Sequence, residues 1–268
     1  MHILYFFMEL PVMRLIWCIG WCCWCALHSI AQKQFDARRV FSHNDYAQAT
    51  PFYAAYGSGV GYIEADIFLE GRRLLVAHAK SDLDTTHTMQ SMYLNPLNEQ
   101  VLKNGNRAYP ERSKPLSLMI DIKSEAISTL TRLVEVLDSY PVLIHAKGLR
   151  IVISGNRPEA DQWRTFSSYI YFDGRPDQAY SASQWKRIAF VSDDFKKYSE
   201  WNGEGPIAPG DAAKVRDLLT AIHRRHKMFR FWATPDIKNV WSFLIQSGVD
   251  IIGTDTVYEL IQFLQAQQ

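Results

Sequence analysis

The chain has 268 residues, a formal net charge of +1 and 47% hydrophobic residues. That length suits one barrel-sized domain or two small ones, and the apolar content suffices for a buried core. A near-neutral balance with no block of like charges excludes nucleic-acid binding through bulk electrostatics, and it excludes a charged tail.

The N-terminal stretch stands apart. All four cysteines, Cys18, Cys22, Cys23 and Cys25, share one apolar run behind Arg14, and Ser29, Ile30 and Ala31 follow it. A basic residue, an apolar run and small residues before the cut read as a secretory signal peptide over 1–31. An uncleaved N-terminal anchor is the alternative. Zinc fits poorly, because the cysteines share one run with no second ligand pair. Cleavage leaves residues 32–268 without cysteine. That suits an exported protein, periplasmic or extracellular, that needs no disulfide.

Residues 38–43 read as a short strand that ends in the polar cluster His43, Asn44, Asp45 and Tyr46. Residues 52–56 suit a short helix stopped by Gly57 and Gly59. In 61–67 the alternation places Tyr62, Glu64 and Asp66 on one strand face, and Ile63, Ala65 and Ile67 on the other. Two carboxylates on one face of an apolar strand repel each other and lose hydration. A divalent cation between them removes both costs; a solvated sheet edge avoids them. Glu70 and Gly71 form a hairpin turn that folds 74–77 back, and this run ends in His78.

Residues 79–115 are polar and lack a sustained period, the pattern of a long loop. With Met92, Tyr93, Leu94, Arg107, Arg112 and Lys114 the loop is read as a solvated insertion, or else as a substrate cover in transient contact with a membrane surface. Further strands fall at 115–123, 149–153, 168–172, 188–191, 228–232 and 250–253, with Gly155, Gly174, Asp193 and Asp194 punctuating their ends. Helices are expected over 124–140, 211–226, 237–246 and 256–264. Thr234, Pro235 and Asp236 start the third of these and Gly248 stops it. His223 and His226 sit on a basic helix end and are expected to be solvated.

This makes about eight main strands with helices between several of them, and no internal repeat or linker. The economical fold is α/β: a single TIM (β/α)8-type barrel over 32–268, with an accessory hairpin and a long loop after the second strand. A doubly wound sheet is the runner-up. In a parallel barrel the chemistry gathers at the C-terminal strand ends. Those ends carry His43, then Glu64 and Asp66, then Asp121 and Lys123, then Trp232, then Thr254 and Asp255; the hairpin ends in His78.

The Ser42–Tyr46 opening, Glu64-Ala65-Asp66, the run ending at His78, Asp121-Ile122-Lys123, the segment 91–97 and the closing 248–255 together resemble a known family. It is the phosphatidylinositol-phospholipase-C-like phosphodiesterase superfamily, which includes the glycerophosphodiester phosphodiesterases and the sphingomyelinase-D-type phospholipases. Within it, the subgroup named for altered inheritance of mitochondria is the most similar. The resemblance spans residues 32–268 and rests on the order and spacing of the motifs. It implies a barrel with one Mg2+ or Ca2+ on Glu64, Asp66 and Asp121, and a histidine pair, His43 and His78, flanking the scissile phosphate. His43 is followed by Asn44 and Asp45 where the glycerophosphodiester group has Arg-Gly, and the third acid is Asp121, as in the sphingomyelinase-D-type enzymes.

Carboxylate oxygens select a hard cation, and no cysteine or histidine cluster suggests zinc. Lys123, two residues after Asp121, faces the same way and adds a positive contact to substrate, or else is a solvent-facing strand-end lysine. His43 is assigned as base or nucleophile and His78 as general acid. Asn44 and Asp45 either orient His43, or Asp45 reaches the metal. Trp232 forms an apolar wall for substrate or packs as core. The expected function is a metal-dependent phosphoric diester hydrolase, or a cyclising lyase, acting on a glycerophosphodiester or phospholipid head group. A monomer is expected, with a small phosphodiester or lipid head group as its partner. The competing readings are a catalytically silent barrel that binds phosphate or carbohydrate and, more weakly, an amidohydrolase, which wants more histidine ligands than the strand ends supply.

Overall fold

The computed structural model describes residues 35–267. Short apolar runs make the strands: β1 (Val40–Ser42), β2 (Tyr62–Glu70), β3 (Arg73–Val76), β4 (Leu116–Ile122), β5 (Leu149–Gly155), β6 (Ile170–Gly174), β7 (Ile188–Asp194), β8 (Phe229–Trp232) and β9 (Ile251–Thr254). They hydrogen-bond in the order β1-β9-β8-β7-β6-β5-β4-β2-β3, and β1 also pairs with β2. That last pairing closes a parallel eight-stranded ring. It rules out the doubly wound alternative, whose sheet is open at both edges. The accessory hairpin is present: Ile67–Glu70, the far part of β2, pairs antiparallel with β3.

Strand alternation divides the side chains in two. Val40, Ile63, Ala65, Ile67, Leu118, Ile120, Ile122, Ile153 and Phe172 belong to the main core together with buried helix residues. Phe41, Tyr62, Met119, Val152, Phe190 and Ile251 form a separate apolar cluster inside the barrel. Two residues further along their strands stand Glu64, Asp121, Ser154 and Ser192. The barrel interior is thus apolar at its base and polar toward the C-terminal rim, which is the end where an active site is built.

The helices are α1 (Tyr53–Gly57), α2 (Asn95–Lys103), α3 (Ala126–Leu137), α4 (Pro141–Ile144), α5 (Ala182–Arg187), α6 (Pro209–His223), α7 (Lys238–Ser247) and α8 (Val257–Gln265). In α3 the Glu125 side chain accepts from the backbone N–H groups of Ile127 and Ser128, while Leu130, Leu133, Val136 and Leu137 are buried. Each such leucine stabilises the fold by about 1.5–3 kcal/mol.

Several expectations change. The stretch 79–115 is not a plain loop: it holds a 3-10 turn (Lys80–Asp82), a π-turn (Gln90–Leu94) and α2. Met89, Tyr93, Leu94, Leu97 and Val101 are fully buried. Tyr93, Leu97 and Val101 recur at helical spacing, so this segment docks on the core, and Tyr93 and Leu94 take no part in any outer surface. Thr234, Pro235 and Asp236 do not start a helix, because α7 begins at Lys238 without a side-chain cap. Asp193 and Asp194 lie within β7 rather than beyond it. His223 is not merely solvated: its Nε2 lies 2.7 Å from Asp250 Oδ2, which also accepts from the Phe229 backbone N–H. The segment 1–31 read as a signal lies outside the described residues. Among the described residues no helix is long and apolar enough to cross a membrane.

Candidate active site

Glu64 and Asp66 project inward from β2, and β4 sets Asp121 directly beside Asp66 in register. The three side chains offer oxygen atoms that all lie within 4.8 Å of one another. Glu64 is 4% and Asp66 2% exposed, so they are not on a solvated edge. Asp121 Oδ1 is buried with no hydrogen-bond partner. Burial pushes the Asp121 carboxyl up to about 7; Lys123 opposes the shift, and Asp66 and Glu64 add to it. Burial also raises Glu64, against the pull of His43 and Arg230. Closely packed acids with an orphaned oxygen are the mark of a cation site, and an all-oxygen donor set fits a hard divalent ion. Gly155 makes this packing possible. Its φ is +67°, and a Cβ there would collide with the Asp121 carboxylate.

His43 follows β1, and its backbone N–H donates to the Thr254 carbonyl of β9 at 3.0 Å. Its Nδ1 lies 2.8 Å from Asp255 Oδ1, and its Nε2 lies 3.6 Å from Glu64 Oε2. Asp255 accepts only, so the pairing places the proton on Nδ1 and leaves Nε2 as the basic nitrogen facing the acids. Asn44 adopts the left-handed conformation, φ 47°. This brings its backbone N–H to Glu64 Oε2 at 3.1 Å and its side-chain amide to Asp255 Oδ1 at 3.3 Å. The same amide nitrogen lies 3.0 Å from His43 Nδ1, so Asn44 sits against both His43 and Asp255 and helps to orient the ring. Asp255 is itself fixed by Asp236, which accepts from the Asp255 backbone N–H and the Thr254 hydroxyl, each at 2.8 Å.

His78 stands on the other side of the triad, its Nδ1 3.3 Å from Asp66 Oδ2 and 3.2 Å from the Tyr46 hydroxyl. Tyr46 donates to Asp66 Oδ2 at 2.8 Å. Burial and the neighbouring acids raise its phenol pKa, so it stays a donor. Lys123 Nζ lies 3.1 Å from Asp66 Oδ2 and 3.6 Å from Asp121 Oδ2. Trp232 is 37% exposed and lines, with His43 and Arg230, a cavity of about 230 Å³ at the rim. Trp232 therefore stands at the wall of this cavity and is not packed away in the core.

Both histidines, the three acids, Lys123, Asn44 and Trp232 thus meet at one mouth. Asp45 does not join them as a ligand. It is fully buried and accepts from the Phe52 backbone N–H at 2.6 Å, Ser42 Oγ at 2.8 Å and the Tyr93 hydroxyl at 3.0 Å. Tyr46 and Asp255 take parts that the residue pattern did not distinguish, although one stood in the opening motif and the other at a strand end. Arg230, inside a short apolar strand, carried no signal.

Residues 31–142 match the AIM6-like phosphodiesterase domain. The "Altered inheritance of mitochondria protein 6 homolog" of Arthroderma benhamiae is 28% identical over 259 residues, 81% of each chain. The "Altered inheritance of mitochondria protein 6" of Eremothecium gossypii is 24% identical over 278 residues, 84% of this chain and 69% of that one. Two solved structures share the fold. A glycerophosphodiester phosphodiesterase from Parabacteroides distasonis superposes with a TM-score of 0.55 at 16% identity, covering 87% of this chain and 98% of its own. An Oleispira antarctica phosphodiesterase in complex with the product sn-glycerol-3-phosphate gives 0.51 at 14% identity, covering 85% and 96%. The parallel eight-stranded barrel is thus a fold shared with phosphodiesterases of known structure. Over residues 31–142 and along most of its length the chain is similar to the AIM6-like phosphodiesterases, the subgroup its motifs resemble.

Proposed function

We propose that the chain is a divalent-metal-dependent phosphoric diester hydrolase, or a cyclising lyase, acting on a glycerophosphodiester or phospholipid head group. One observation carries this reading: two histidines flank one buried carboxylate triad at the C-terminal mouth of the barrel. The fold-sharing Oleispira protein holds sn-glycerol-3-phosphate as its product, which supports a phosphate ester of similar size here.

Glu64, Asp66 and Asp121 hold the cation, Mg2+ or Ca2+, which when bound supplies positive charge to a phosphate oxygen. His43 Nε2 takes the proton of the attacking group, or itself attacks phosphorus, with Nδ1–H steadied by Asp255. His78, anchored through Nδ1, presents Nε2–H to the leaving alkoxide. Lys123 is already close to Asp66 and Asp121, and its ammonium adds a second positive contact to the phosphate. Attack by water yields a phosphomonoester and an alcohol; attack by a substrate hydroxyl yields a cyclic phosphate and the same alcohol. From the N-terminal pattern alone, the proposal extends to an exported protein.

The test is a panel of glycerophosphodiesters and lysophospholipids assayed with Mg2+, Ca2+ or chelator, with phosphorus NMR identifying the product. Metal-dependent turnover that His43→Ala and His78→Ala each abolish is the expected result. Turnover of no diester favours the catalytically silent barrel that binds phosphate or carbohydrate, and full activity in both histidine variants overturns the mechanism.

A further inference from the structure

Arg230 is the interior residue of β8 that lies two positions before Trp232. It is 4% exposed, and its Nε is buried with no hydrogen-bond partner. A desolvated guanidinium without an acceptor is costly, since it loses hydration and gains nothing in return. Other interior cations of the barrel are engaged. Arg175 Nη1 donates to Asp173 Oδ2 at 2.6 Å, and Lys123 lies 3.1 Å from Asp66 Oδ2. In register, Arg230 is flanked by Ser192 and Ile251, neither of which is acidic.

The surroundings hold this guanidinium in place. Its carbon lies 3.8 Å from the centroid of the Phe41 ring, so one face is fixed on an aromatic floor. Beside it stands Gly253. A Cβ there would come within 3.3 Å of Arg230 Nε and 3.5 Å of Nη2, so the missing side chain keeps the donor edge clear. That edge borders the rim cavity of about 230 Å³, which His43 and Trp232 also line. Burial lowers the Arg230 pKa, while Glu64 and Asp173 act the other way at longer range.

We propose that Arg230 forms an oxyanion subsite, in which its guanidinium binds a phosphate oxygen of the substrate on the His43 side of the rim cavity, apart from the acid triad. The inference rests on the phosphodiesterase reading and deepens it. A planar donor fork matches phosphate geometry. The subsite selects for the charged phosphate rather than for the alcohols it joins. It also supplies a fixed cation that, unlike Lys123, is not already held by Asp66 and Asp121.

The test titrates inorganic phosphate and sn-glycerol 3-phosphate, with acetate as control, into the full chain loaded with Mg2+ or treated with chelator. Calorimetry gives the affinity, and the Nε–H resonance of Arg230, identified by its absence in Arg230→Lys, reports on the side chain itself. Phosphate is expected to shift that resonance. Arg230→Gln is expected to weaken phosphate binding about 10- to 100-fold, with Arg230→Lys in between. Gly253→Ala keeps the arginine but crowds its donor edge, and it should weaken phosphate without loss of fold, which keeps the test sound if Arg230→Gln does not fold. A resonance unmoved by bound phosphate, wild-type affinity in Arg230→Gln, or acetate binding as well as phosphate overturns the subsite. The two readings fail separately: phosphate binding through Arg230 without diester turnover defeats only the phosphodiesterase, and turnover with unchanged phosphate affinity in Arg230→Gln defeats only the subsite.

Discussion

A histidine works as a base only through the nitrogen that lacks a proton, and at His43 a neighbour decides which nitrogen that is. Asp255 Oδ1, 2.8 Å from Nδ1, draws the proton there and leaves Nε2 toward the triad. Asp255→Asn keeps the size but offers an amide that can stabilise the opposite tautomer. Turnover is expected to fall about 10²–10⁴-fold, mostly in kcat, with the thermal midpoint little changed. A variant with wild-type kcat would show that Asp255 does not position the base. Asp45, two residues after the same histidine, has another part. It ties the loop before α1 to Tyr93, so Asp45→Asn is expected to cost about 1–3 kcal/mol in denaturant unfolding. Metal affinity should stay at the wild-type value; a large loss would return Asp45 to the ligand set.

At the scale of elements, the end of β5 shapes the end of β4. Gly155 sits at φ +67°, and the Asp121 carboxylate occupies the space a side chain would need. Gly155→Ala is expected to destabilise by about 1–2 kcal/mol from the left-handed backbone alone. Displacement of Asp121 should also weaken metal binding, which a metal titration of the folded variant reads directly. Strands such as β2 and β4 were legible in the sequence because a period of two and a polar terminus mark them independently of context. The acids were legible because the same period of two sets them on one strand face, and the histidines because each follows an apolar strand. α2 was hidden: Pro96 and polar neighbours mask Tyr93, Leu97 and Val101, whose spacing gains meaning only from the surface they cover. Thr234-Pro235-Asp236 had the chemistry of a helix start, but Asp236 is taken by Trp241, Thr254 and Asp255 instead. Asp45 and Asp255 are alike as residues, and only the tertiary fold assigns one to a loop and the other to a base. Arg230 looked like any residue of a short strand until closure of the barrel removed its water.

For the molecule as a whole, the triad makes stability, pH and metal one linked quantity. In the metal-free chain the folded pKa of Asp121 is about 7, against an ordinary value of 3.8, and Glu64 shifts in the same direction. Between these limits the folded protein keeps a proton that the unfolded chain has released. Stability therefore falls as pH rises through this window, and the loss is complete above the folded pKa. The shift corresponds to a penalty on the order of 2–4 kcal/mol, or roughly 5–10 °C in the thermal midpoint for a domain of this size. A bound cation requires the carboxylates to be ionised, so binding releases protons and its affinity drops about tenfold per pH unit below 7 for each proton displaced. Melting curves in chelator should thus move down from pH 5 to pH 7.5. Those in millimolar Mg2+ or Ca2+ should gain most at the higher pH, where the acids are charged and the ion binds best. A metal-free midpoint that climbs or stays level across this range, with no response to either ion at pH 7.5, would mean that the three acids do not form a cation site.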